Sequence, residues 1–254
     1  MLGRTMHGID YNPVLDEIVV PQQFGQAILT FDGAAYGEQP PKRVIQGPLT
    51  QLRALDRLAV DSVHNEIYVP EGQRVLVFDG RATGNVAPKR ILGGPATGFT
   101  SAGAVAVDTV RNLMVVGGSA REGGAALLAV FDRMANGNAK PIRVITGPEA
   151  RLAAAGNMRI HSETGLIFVV QQGPGYVGVW SIEDSGAAPP RFTIGGPHGA
   201  LKKPRGLDLD PKNNAVIISD KELNAVLTYE LPAVFDKKSV PPLRRSAAKT
   251  GRRF

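Results

Sequence analysis

Four stretches of this chain are near copies of one another: PPKRVIQGP at 40–48, APKRILGGP at 87–95, KPIRVITGP at 140–148 and PPRFTIGGP at 189–197. A fourfold internal repeat constrains the fold more than any single motif, because each copy belongs to one structural unit of a stacked or radial array. Counted from the aromatic residue before each copy (Phe31, Phe78, Phe131, Trp180), a glycine follows after six residues, a proline after ten and another glycine after sixteen. Fourteen residues after that last glycine, an apolar run closes on Asp61, Asp108, His161 or Asp210, and extrapolation backwards lands on Asn12. Four residues later stands a turn position, Asp16, Asn65, Asn112, Gly165 or Asn214.

Between these markers lie short runs such as EIVV, EIYV and LMVV, then AILTF, VLVF and LLAVF, rich in β-branched and aromatic residues. Each unit is thus four short strands, here called a to d, with the quoted copy as strand d. Strands this apolar are covered on both faces, as in sheets stacked radially. The expected fold is an all-β β-propeller of five recognisable four-stranded blades with the last blade incomplete, strand a near the axis and strand d at the rim. An immunoglobulin-like sandwich does not repeat itself, and a β-helix repeats at a shorter period.

Composition agrees with many turns: 30 glycines and 19 prolines are spread along 254 residues. With no cysteine there is no disulfide and no thiolate site. No apolar run in the chain as given reads as a secretory signal or membrane span, and the compartment stays open. The net charge of +6 is a property of the end of the chain: residues 237–254 hold seven Lys or Arg and no acid, leaving 22 cationic against 23 anionic groups elsewhere. Residues 1–235 read as a single propeller domain and 236–254 as a basic tail, expected to be disordered beyond about Leu243 because it has little apolar surface to offset ordering.

The stretch SVHNEIYVPEGQRVLVFDGRATGNVAPKRILGGPATGF resembles the repeat of bacterial NHL-type propellers, and the resemblance extends over residues 7 to about 230. The better-known members have six blades and are frequently exported; their relatives include peptidyl-hydroxyglycine amidating lyases and gluconolactonase-type hydrolases. The resemblance implies the fold; activity depends on loops grafted onto it. It also raises the expectation that this chain is shortened from a six-bladed parent.

After Tyr229 the cassette breaks. Phe235 stands where the other units have glycine, and VPPLRRSAAKTG only faintly follows VAPKRILGG. Strand d of the fifth unit is expected to be degraded or absent, so that the ring closes by blade packing alone, by a homodimer through the open blade edge, or not at all.

From the turn position to the aromatic anchor the spacing is 15, 13, 19, 15 and 15, which places all length variation between strands b and c. Those loops share a face with the connections between blades. The longest, GGSAREGGAA at 117–126, carries Arg121 and Glu122 and lacks the strand-loop-helix setting of a phosphate loop. Arg53, Arg57, Arg151, Lys202, Lys203 and Arg205 fall in the connecting loops of that face. With Arg121 they are the candidate ligand-binding residues, suited to a protein partner, a small anionic ligand or the phosphates of a nucleic acid. For nucleic acid the loop aromatics are few: Phe24, Phe99 and Tyr176.

An amidating-type metal site needs several histidines converging on the axis. Of the four present, His7 begins an inner strand, His64 and His161 fall on the opposite face and His198 begins a connecting loop. A gluconolactonase-like site needs oxygen ligands around a hard cation such as Ca2+. The equivalent position of strand a gives Asp10, Ala59, Ala106, Arg159 and Asp208, with Asn157 two residues before Arg159. Asp10 and Asp208 are the candidate metal ligands if the ring closes; the competing expectation is an ion pair of Asp208 with Arg159. No GxSxG and no nucleophile with a base at a recognisable spacing is present. The sequence favours a non-catalytic binding scaffold that needs no cofactor, with a divalent-cation-dependent hydrolase or lyase at the central channel as the alternative.

Overall fold

Alternation of apolar residues with turn residues every few positions gives antiparallel meanders and almost no helix. The structure, a computed structural model, describes residues 8–239 apart from Glu122, Ala154 and Pro197. Blade one is β1 (Asp10–Asn12), β2 (Glu17–Gln22), β3 (Ala27–Asp32) and β4 (Arg43–Gln46); blade two is β5 (Ala59–Asp61), β6 (Glu66–Glu71), β7 (Arg74–Asp79) and β8 (Arg90–Gly93). Blade three is β9 (Phe99–Asp108), β10 (Leu113–Ala120), β11 (Ala126–Asp132) and β12 (Arg143–Thr146). Blade four is β13 (Ala155–His161), β14 (Leu166–Gln171), β15 (Tyr176–Ser181) and β16 (Phe192–Ile194). Blade five has three strands among the described residues, β17 (Pro204–Asp210), β18 (Ala215–Asp220) and β19 (Ala225–Glu230), followed by the single turn α1 (Pro232–Phe235). This is the five-bladed all-β propeller that the repeat predicts, with three strands of its last blade among the described residues. No helix among the described residues is long and apolar enough to cross a membrane. His7, Glu122 and the segment from Val240 onward, with the expectation of disorder placed on it, lie outside the described residues.

The repeating markers have local causes. Asn12, Asp61 and Asp108 end strand a and accept backbone N–H bonds from the turn that follows, as Asp61 does from Val63 and His64 at 3.0 and 2.9 Å. The turn position four residues on has φ between 51° and 72° in all five blades, a left-handed conformation that Asn, Asp and Gly adopt most readily. The glycine six residues after the anchor joins one blade to the one before it. Gly84 donates to the carbonyl of Val44 (2.6 Å) and accepts from Gln46 (3.1 Å); Gly137 and Gly186 do the same with blades two and three. Its φ of 59–80°, a left-handed conformation, explains why glycine recurs there.

Four apolar clusters fill four seams. Ile28 and Ile45 of blade one meet Ile67 and Phe78 of blade two; Val75 and Leu92 meet Met114 and Phe131; Leu128 and Ile145 meet Ile167 and Trp180; Val177 and Ile194 meet Val216. α1 adds Val234 and Phe235 to the last of these, with the Phe235 ring against His161 (5.0 Å) and Phe168 (6.3 Å). Among the described residues no such cluster joins blade five to blade one.

One expectation changes. The long segment 117–126 of blade three is mostly strand: Gly118 pairs with Leu127 and Ser119 with Ala126, so the loop itself shrinks to 121–125. The extra residues lengthen the hairpin, with Gly118 letting β9 come close and Gly117 making room for Ala155 of β13; a Cβ on Gly118 would stand 1.8 Å from the Ser101 carbonyl oxygen.

Candidate functional site

The seam that lacks a core opens at the axis into a cavity of about 620 Å³. Blade one contributes Gly8, Ile9 and Val20; blade five contributes Leu207, Ile217 and Val226; Arg57, Asn157 and Arg205 stand at its loop-face end, with Arg159 and Asp208 further in. The walls are apolar and the polar groups gather at the axis, the usual make-up of a ligand pocket.

Arg159 lies across the axis. Its Nη2 is 3.2 Å from Oδ1 of Asp10 and its Nε 3.1 Å from Oδ1 of Asp208, so one guanidinium ties blade four to both blade one and blade five. Asp10 also accepts N–H bonds from Val60 (2.8 Å) and Tyr11 (3.0 Å). Burial pushes the Asp10 carboxyl above its usual range; Arg159 and the two N–H donors pull it back, and the nearby Asp208 adds to the rise. Burial works against the Arg159 cation, but the two carboxylates more than offset it and hold the guanidinium charged. The expected pair of Asp208 and Arg159 is present, and Asp10 joins it. The axis brings Asp10 and Asp208 to one guanidinium, which engages Oδ1 of each, while Oδ2 of Asp10 accepts from Val60. No group of three or more His, Cys, Asp or Glu gathers among the described residues. His64 bonds Asp61 (2.8 Å) and His161 bonds Thr164 (2.9 Å), the latter ring held below its ordinary range by burial.

The seven candidate basic residues do not form one patch. Arg57 and Arg205 line the axial cavity. Arg57 donates to the Gly103 carbonyl (3.3 Å) and lies 3.2 Å from Asp56; Arg205 donates to Oε1 of Gln172 (2.8 Å) and has no carboxylate partner among the described residues. Arg53 lines a separate groove with Glu71, Gln73 and Arg74. Arg121 reaches back to the Phe99 carbonyl (3.3 Å), and Arg151 is exposed with its own carbonyl held by the Tyr176 hydroxyl (2.7 Å). The backbone N–H groups of Lys202 and Lys203 both bond Asp220, leaving two exposed side chains. Of the loop aromatics, Phe99 is in the core against Phe131 and Tyr176 is engaged, while Phe24 is exposed.

Ser219 escapes sequence reading as a site residue because nothing in its spacing marks it; it reaches the cavity through the curvature of the ring. Gln172 escapes it likewise and meets the site through its bond from Arg205.

No family model matches the chain, and no curated protein matches it. Among solved structures it is similar to a chain of the crystal structure of a mitotic checkpoint complex, with a TM-score of 0.59 and 14% identity over 85% of this chain and 59% of that one. The likeness defines the class as a β-propeller. The chain spans about 59% of the length of that solved chain.

Proposed function

We propose that this protein is an NHL-type propeller that works as a non-catalytic binding scaffold, holding an anionic group at the axial end of the open seam. The observation that carries the reading is Arg205: a cation at the cavity mouth whose one side-chain partner among the described residues is the neutral Gln172, beside Arg57 and the Asn157 amide. A carboxylate or phosphate would complete the hydrogen bonding of a guanidinium there, charge-assisted and partly shielded from water. The apolar walls would take the uncharged remainder of the ligand, whether a small molecule or an acidic side chain of a partner protein. That the similar solved chain comes from a complex is in keeping with a protein partner. The cation-dependent reading draws less support, since Arg159 already engages one oxygen of each carboxylate it would use.

The test is calorimetric titration with tripolyphosphate and, separately, with a glutamate-rich peptide. Arg57→Gln with Arg205→Gln should weaken binding at least about tenfold, while Arg53→Gln, in its own groove, leaves it unchanged. Equal affinity for the double variant and the parent would overturn the axial site. A preference for the peptide would identify a protein partner.

A further inference from the structure

The axial cavity is charged at both ends, and one cation and one anion are left over once its internal ion pairs are assigned. At the loop-face end Arg57 lies 3.2 Å from Asp56, which offsets its charge, while Arg205 bonds the neutral Gln172 and has no carboxylate partner among the described residues. At the axis two carboxylates share one guanidinium, since Arg159 bonds both Asp10 and Asp208. Every hydrogen-bond partner of the Asp10 side chain among the described residues is a donor, namely Arg159 and the N–H groups of Val60 and Tyr11, so this group stands as a carboxylate. One positive charge is therefore uncompensated at the mouth and one negative charge at the axis.

The negative charge is reachable at Asp208. Its side chain is 68% exposed, against 17% for that of Asp10. Oδ1 of Asp208 takes both of its bonds, from Arg159 Nε (3.1 Å) and the Leu209 N–H (3.0 Å), and Oδ2 takes none among the described residues. Asp10 has both oxygens engaged. A free carboxylate oxygen accepts a charge-assisted bond from an ammonium group just as a guanidinium donates one to a carboxylate. Arg205 and Asp208 leave the same strand, β17, three residues apart, about 10 Å at the usual rise of a strand, with a bulge between Pro204 and Gly206 at the Arg205 end. Leu207 stands between them and lines the cavity with Ile9, Val20 and Ile217, so the ground between the two charges is apolar.

We propose that the ligand of the axial cavity is a zwitterion: an aliphatic amino acid whose carboxylate meets Arg205 and whose ammonium meets Oδ2 of Asp208, with the methylenes between them lying over Leu207, Ile9 and Ile217. The inference rests on Arg205 being an anion site and narrows the anion to one that carries its own cation at the far end of a short chain. Charges on neighbouring carbons leave one of the two protein groups short, whereas a few methylenes place one charge at each. Asp208 is then the residue that separates amino acids from simple fatty acids, because a site built to pair a charged group discriminates against the analogue that lacks it.

Calorimetric titration of the full chain with δ-aminovalerate, its isomer norvaline, and valerate tests this. δ-Aminovalerate should bind at least about tenfold more tightly than valerate, and norvaline, with its charges adjacent, should gain little. Asp208→Asn should remove the advantage of δ-aminovalerate and leave valerate unchanged, while Arg205→Gln should weaken both. The comparison of the three ligands on the unaltered chain needs no variant to fold. Equal affinities for δ-aminovalerate and valerate, both falling in Arg205→Gln, would leave the anion site standing and overturn the zwitterion. Binding of tripolyphosphate with none of the three acids would do the same. An advantage that norvaline shares in full, or that survives Asp208→Asn, would overturn the placing of the ammonium at Asp208. Failure of every ligand, tripolyphosphate included, would remove the anion site itself and this inference with it.

Discussion

Glu66 is a buried carboxylate surrounded by cations. Arg90 holds it with two bonds of 2.8 and 2.7 Å, Arg133 of the next blade with one of 2.7 Å, Lys89 approaches to 3.0 Å and the Tyr68 hydroxyl donates at 2.7 Å. Burial alone would raise its pKa, but the bonds from Arg90, Tyr68 and Lys89 outweigh it and bring it down to about 2. A depressed carboxylate contributes stability that is full above its unfolded value and lost as pH falls through the folded one. Wild-type stability should therefore decline as the pH drops from about 4.5 toward 2. Glu66→Gln leaves two guanidinia short of a counter-charge and should cost about 3 to 5 kcal/mol at neutral pH, with the decline over that pH range reduced. Urea melts of both proteins at several pH values check this; a variant that keeps the full acid slope would place the titration elsewhere.

At the scale of the element, a blade is worth what its two neighbours let it bury. Phe78 and Phe131 are fully buried in the first and second seams, while Phe31 is half-exposed and Tyr229 belongs to a blade with three described strands. Replacing Phe78 or Phe131 by alanine should cost about 3 to 5 kcal/mol, with a smaller loss for Tyr229→Ala and for Phe31→Ala. Chemical denaturation of the four variants measures it, and equal losses throughout would mean that the terminal blades are packed as fully as the inner ones. This pattern also shows what the sequence makes legible. Strand identity, turn positions and the break after Tyr229 follow from local spacing, because a turn such as Asp61–His64 is decided by residues a few positions apart. Which loop cations meet is different: Arg57 and Arg205 share a cavity and Arg53 does not, an outcome of how five blades are disposed about the axis. The reach of Arg159 to Asp10, 149 residues away, depends on the same disposition.

At the scale of the whole molecule five blades stand around one axis, and Arg159 ties the ends of the series together by bonding Asp10 of blade one and Asp208 of blade five. Blade three is sandwiched on both faces, whereas among the described residues no apolar cluster joins blades one and five. In an array where each unit is held by its neighbours, opening free energy should fall from the middle toward the ends. The amides of Val115 and Val116 in β10 should exchange most slowly, and those of β2 and β18 considerably faster. Residue-resolved hydrogen exchange decides it: rates that do not differ between blades one, three and five would mean that the terminal blades are held as firmly as the middle one.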